Sequence, residues 1–331
     1  MRCTNKKRAY TGVAAMILIF AVLCCGCAPE EYNLHYDKDS SKSAFRFESQ
    51  DARECAAPFA ANLCIPEEES TSANEVESGP DSYAAAMLFD IKGKKVIYNR
   101  HPYRMLYPAS MTKVLTAVVA MENCDMDKVL TADESCVMTA NDVQKVGLKE
   151  GDTMTLDQAL HILLIYSAND VANLIAVNVA GSLEGFADMM NAKANALGAT
   201  NSHFTNPSGL QDDEHYTTPY DMYLIFNEAI NYGKFIEIIG MSEYSTMYHD
   251  ASGAEKSFEC ATTNRYLKGQ YNAPRAVTVI GGKTGSTAAA GSCLTLLSKD
   301  SSDNSFVSVV MKADNVDVLY GKTNKLLEML Q

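Results

Sequence analysis

An excess of positive charge is the first thing this sequence lacks. Its 331 residues hold 28 Lys and Arg against 41 Asp and Glu, a net charge of −13. A nucleic-acid binder would normally present a basic face, so that class is excluded. Metal-binding spacings are missing too. The six histidines (His35, His101, His161, His203, His215 and His249) form no HExxH and no cluster. The six cysteines beyond residue 27 (Cys55, Cys64, Cys124, Cys136, Cys260 and Cys293) contain no CxxC pair. No metal and no cofactor is therefore expected. No internal repeat is visible. The apolar run at 12–25 spans about 14 residues, short of the ~20 that cross a bilayer.

That run has a different meaning. Arg2, Lys6, Lys7 and Arg8 precede it with no acidic residue among them, the layout of a secretory signal at 1–27. It ends in Leu23-Cys24-Cys25-Gly26-Cys27, where Gly before Cys resembles a bacterial lipoprotein processing site. Lipidation of Cys27 is the expectation, although the usual Leu lies one position too far upstream. Ordinary cleavage and an uncleaved anchor are the alternatives. All three deliver the chain outside the cytoplasm, and removing the four leader cations takes the net charge from −13 to −17.

Residues 28–82 read as an acidic tether. Its first 53 positions carry twelve acidic and four basic residues and no sustained apolar period, too little to offset chain entropy. A small cap closed by a Cys55–Cys64 disulfide is the rival reading, since export permits disulfides. The other four cysteines read as small buried apolar groups.

Hydrophobic residues make up 47% of the chain, enough for a sizeable core in one large or two ordinary domains. Order is expected over 83–331. Strands are predicted at 84–91, 95–98, 277–281, 293–298 and 306–312, with Asp303-Asn304 turning between the last two. Helices are predicted from Ser110 to about Met121 and through most of 122–250. Thr155-x-x-Gln158 is a capping box opening 156–166. Gly181 and Gly198 close 170–180 and 183–197. Thr218-Pro219 starts a helix closed by Gly233, and 316–330 ends the chain. The fold class is thus α/β (α+β): one antiparallel sheet from both chain termini, flanking helices, and a mostly helical insertion at about 122–250.

Three short strings carry chemistry. In Ser110-Met-Thr-Lys113, a three-residue step along a helix places an amine beside a hydroxyl. The first turn leaves N–H groups unpaired for a developing oxyanion. To act as base Lys113 must be neutral, a fall of about 3 units from its usual range; a second lysine nearby would supply part of that. Ser167-Ala-Asn169 lies at a junction between two helices. The same SxN pattern at Ser72-Ala-Asn74 and Ser302-Asp-Asn304 falls in the tether and in a hairpin turn. Lys283-Thr284-Gly285 ends a strand, where cation and hydroxyl can hold a carboxylate and Gly admits a substrate backbone. A phosphate loop would need Gly at 277, where Val277 stands, and a following helix.

In this order the strings resemble the S-x-x-K, S-x-N and K-T-G signature of penicillin-recognising serine enzymes. Phe204-Thr-Asn-Pro-Ser-Gly-Leu210, His215-Tyr216 and Thr284-Gly-Ser-Thr-Ala-Ala-Ala-Gly291 look like segments of the low-molecular-mass D-Ala-D-Ala carboxypeptidases, peptidase family S11. The resemblance covers about 83–331 and implies a β-lactamase/penicillin-binding-protein-like fold. It implies removal of the terminal D-alanine from peptidoglycan stem peptides, and covalent inhibition by β-lactams. By that resemblance Ser110 forms the acyl-enzyme, Lys113 accepts its proton, and Ser167 protonates the departing D-alanine with help from Lys283. Asn169 binds the substrate amide, Lys283 and Thr284 hold the terminal carboxylate beside Gly285, and the N–H groups of Ser110 and Ser286 form the oxyanion hole.

Relatives often add a β-rich domain and a C-terminal anchor, which the lipid at Cys27 would replace here. Ser286 stands where relatives often carry a larger side chain. A β-lactamase is the nearest alternative, but no E-x-x-L-N string occurs between Asn169 and Lys283. A non-catalytic penicillin-recognising sensor is the other.

Overall fold

The strand Tyr83–Asp90 (β1) is apolar at almost every position and buried on both faces, as a central strand must be. A computed structural model of the chain, describing residues 63–66 and 83–330, shows what covers it. β1 pairs antiparallel with Lys95–Arg100 (β2) on one side and with Ser305–Ala313 (β9) on the other. The sheet continues through Gly291–Lys299 (β8) to Thr278–Thr287 (β7) in the order β2-β1-β9-β8-β7. Both ends of the domain therefore build one antiparallel sheet, as the sequence predicts. Asp303 turns between β8 and β9 with φ +63°.

Successive side chains of β1 serve two cores. Ala85, Met87 and Phe89 join the large core of the helical layer. Ala86 and Leu88 face Leu319, Leu326 and Leu327 of the C-terminal helix. Helices α1 (Lys113–Asn123), α2 (Leu156–His161), α3 (Asn169–Ala180), α4 (Leu183–Ala196), α5 (Pro219–Ala229) and α6 (Gly233–Ile239) precede β7, and α7 (Val316–Glu328) ends the domain. The capping box at Thr155 and Gln158 is formed, and Gly181 takes the left-handed turn after α3.

Three features depart from the sequence reading. The insertion is not simply helical: Val129–Thr131 (β3), Thr153–Thr155 (β4), Glu243–His249 (β5) and Glu255–Ala261 (β6) form a second sheet in that order. The stretch read as one helix at 156–166 widens into a π turn at Ile162–Tyr166. Gly233 opens α6; α5 has already ended at Ala229.

Cys27, Cys55 and most of the acidic stretch lie outside the described residues. Within that stretch, Cys64 is fully buried. Its backbone N–H donates to the Tyr223 hydroxyl at 3.0 Å and its thiol to the Asp90 carbonyl at 3.3 Å. The five described cysteines are free thiols.

Candidate active site

Ser110 sits on a tight turn, Ala109–Thr112, that runs directly into α1, whose first residue is Lys113. This puts Lys113 Nζ 3.0 Å from Ser110 Oγ. The same nitrogen lies 2.7 Å from Asn169 Oδ1 and 2.6 Å from the Ser208 carbonyl. Both of those partners only accept. A neutral amine has two N–H groups for them, which leaves its lone pair for the Ser110 hydroxyl. Burial holds the Lys113 pKa well below its ordinary range, and the neighbouring Lys283 cation lowers it further; Asp170 partly opposes both.

Lys283 is equally buried. Its ammonium donates to Ser167 Oγ at 2.9 Å and to the Thr284 carbonyl at 3.0 Å. Burial pushes its pKa down to about 7. Ser167 follows the π turn with its N–H bonded to the Ile162 carbonyl and takes a left-handed conformation, φ +71°. Asn169 then opens α3 with its amide turned to Lys113. The three strings, more than a hundred residues apart at their extremes, are thus joined by hydrogen bonds into one constellation.

Ser110, Ser167, Asn169, Thr284, Gly285 and Ser286 all line a cleft of about 570 Å³. Gly285 has a role the sequence did not suggest. A Cβ there would lie 2.6 Å from the Pro108 carbonyl oxygen, so its bareness lets β7 rest against the turn that carries Ser110. Tyr166 packs edge-on against Phe258, 5.3 Å between centroids.

Several contributors escaped the sequence reading. Asn206 Oδ1 accepts from the N–H groups of Ser208 and Gly209, an Asx turn that fixes the Ser208 carbonyl in front of Lys113. Thr116 Oγ1 bolts this loop to α1 through the Pro207 carbonyl at 2.6 Å. The signal for it in the sequence is Asn206-Pro-Ser-Gly209, itself a turn pattern. Thr263 and Arg265 also line the cleft, and Thr263 Oγ1 meets Thr284 Oγ1 at 2.6 Å. Nothing in their local sequence marks them.

His215, part of the His215-Tyr216 segment, braces the turn. Its Nδ1 accepts from the Thr205 N–H at 3.1 Å, so its Nε2–H donates to Thr112 Oγ1 at 2.8 Å. That pattern needs the neutral ring, and burial lowers its pKa to about 4. Between pH 6.5 and about 4 the unfolded chain binds a proton at this residue and the folded one does not. The stability contribution is complete above 6.5 and is lost as the pH falls through that window, roughly 2–3 kcal/mol by pH 4.5. Urea melts at pH 7 and 4.5 should show this loss, and His215→Gln should lose less than the wild type does.

The arrangement of sheets and helices is that of the penicillin-binding DD-peptidase fold. Streptomyces K15 DD-transpeptidase superposes with a TM-score of 0.69 over 76% of this chain and 97% of that one, at 22% identity. A penicillin-binding protein homologue of Mycobacterium tuberculosis gives 0.65 at 27% identity, over 76% of this chain and 94% of that one. The chain belongs to the D-alanyl-D-alanine carboxypeptidase family of serine peptidases, S11, whose profile matches residues 69–315. D-alanyl-D-alanine carboxypeptidase DacF of Bacillus subtilis is 32% identical over 251 residues, 74% of this chain and 61% of that protein. DacB2 of Mycobacterium tuberculosis is 35% identical over 214 residues, 64% and 69% of the two chains. The match thus spans about three-fifths of the Bacillus relative's length.

Proposed function

We propose that this protein is a serine D-Ala-D-Ala carboxypeptidase acting on peptidoglycan stem peptides through an acyl-enzyme on Ser110. The observation that carries the reading is the 3.0 Å approach of a buried, low-pKa Lys113 amine to the Ser110 hydroxyl, with Lys283 holding Ser167 at 2.9 Å in the same cleft. Neutral Lys113 takes the hydroxyl proton as Ser110 Oγ attacks the penultimate D-alanine carbonyl carbon. The oxyanion meets the N–H groups of Ser110 and Ser286. Ser167 gives its proton to the departing amine nitrogen and is resupplied from Lys283. The C–N bond breaks, D-alanine leaves, and water releases the shortened stem. Asn169 both orients Lys113 and offers its amide to the substrate. Thr284 and Lys283 meet the terminal carboxylate, and Arg265 adds a second cation on the same wall.

The substrate class puts this work outside the cytoplasm. Among the described residues no helix is long and apolar enough to cross a membrane. A lipid on Cys27 is the attachment we favour, and the Gly26-Cys27 pair supports it.

Penicillins should acylate the same serine, because their strained amide and carboxylate imitate the D-Ala-D-Ala end. Intact-mass measurement after penicillin exposure is expected to show one adduct on the wild type and none on Ser110→Ala. An adduct on both would remove Ser110 from its role.

A further inference from the structure

The cleft is electrically lopsided. Of the described residues lining it, Asp142 is the one acid and Arg265 the one cation. They reach it on two different segments of the chain. Arg265 stands on the β7 side, where its backbone N–H donates to the Tyr320 hydroxyl of α7 and Thr263 touches Thr284. Asp142 stands on the loop that adjoins the second motif, whose Ser167 looks across at Lys283.

That loop is held from three directions. The Asn169 N–H donates to the Gln144 carbonyl at 2.8 Å, and Gln144 Nε2 donates to the Tyr166 carbonyl at 2.7 Å. Asp170, fully buried, accepts from the N–H groups of Val146, Gly147 and Leu148 at 3.0, 2.7 and 3.1 Å. Lys145 turns its ammonium back onto the Met138 and Ala140 carbonyls. The cation of the loop is therefore engaged with its own backbone. Asp142 is exposed and makes no hydrogen bond or ion pair among the described residues. A loop held by these bonds thus presents an unpaired carboxylate to the cleft that Arg265 and Thr284 also line.

We propose that Asp142 is a specificity determinant that favours stem peptides with a free side-chain ammonium on the residue preceding D-Ala-D-Ala. This rests on the carboxypeptidase reading and deepens it. A substrate anchored by its C-terminal carboxylate on the β7 side and acylating Ser110 sends its preceding residues along the remaining cleft, past the second motif and the loop. A free amine there meets an anion; an acylated one, as in a cross-linked stem, does not. The enzyme would accordingly prefer stems not yet linked through that amine.

The test compares two peptides, Nα-acetyl-L-Lys-D-Ala-D-Ala and its Nε-acetylated form, by D-alanine release. Wild type should favour the free amine about fivefold in kcat/KM, the size of an exposed ion pair. The ratio should approach one in about 1 M salt, where the screening length is about 3 Å. Asp142→Asn should bring it to one at low salt, and Asp142→Lys should reverse it. Equal rates in the wild type, or a preference that survives in Asp142→Asn, would overturn the proposal while leaving the carboxypeptidase intact. Release from neither peptide would instead sink the carboxypeptidase reading, and this inference with it.

Discussion

Lys113→Ala is expected to slow acylation by penicillin by roughly 10²–10⁴-fold while the protein remains folded, the contribution of a positioned general base that nothing here replaces. Among the described residues one nitrogen, Lys113 Nζ, meets Ser110 Oγ, and it also ties Asn169 and the Ser208 carbonyl to the turn. Its removal leaves two carbonyl oxygens without their donor, at about 1–3 kcal/mol each. It also removes an amine whose burial is itself unfavourable, so the net change in stability should be small. Lys113→Arg separates base from charge: a guanidinium stays protonated and should fail as completely as alanine. Stopped-flow acylation rates with far-ultraviolet circular dichroism on the same samples decide the matter. Acylation near the wild-type rate in either variant would refute the base assignment.

Gly209→Ala should be among the most damaging small substitutions available in this domain. Gly209 has φ +81°, where a side chain is strained. An added Cβ would lie 1.9 Å from the Ala109 carbonyl oxygen and 2.8 Å from Thr112 Oγ1. Those atoms belong to the turn that carries Ser110 and connects to His215, so nothing nearby yields without moving Ser110. Strain and overpacking together are on the order of 4 kcal/mol. Displacing the loop also shifts the Ser208 carbonyl away from Lys113. A denaturant midpoint and an acylation rate should therefore fall together. A variant as stable as the wild type would mean that the loop relaxes more freely than its contacts with α1 suggest.

Much of this was legible before any coordinates. Ser110-x-x-Lys113, Ser167-x-Asn169 and Lys283-Thr-Gly285 are chemically marked, and the sheet shared by both chain ends followed from where the strands fell. The capping box at Thr155 and the left-handed Gly181 were local signals answered locally. What escaped depends on distant partners. β3 and β4 are three residues each, and β4 joins β5 through Thr153 opposite His249, far along the chain. No window of sequence contains both. Gly285 looked like room for a substrate, because the Pro108 carbonyl that fills the space belongs to another segment. Thr263 and Arg265 are ordinary polar residues until β7 arrives beside them.

The π turn at 162–166 has a lasting consequence. A regular helix advances about 100° per residue, so trimming one residue from the widened turn would restore ordinary geometry and swing the hydroxyl of Ser167 away from Lys283. Here a smoother backbone and the Lys283–Ser167 hydrogen bond are mutually exclusive. The length of that stretch therefore matters more than its smoothness: a single-residue deletion would tidy the coil and should abolish the acylation proposed for Ser110.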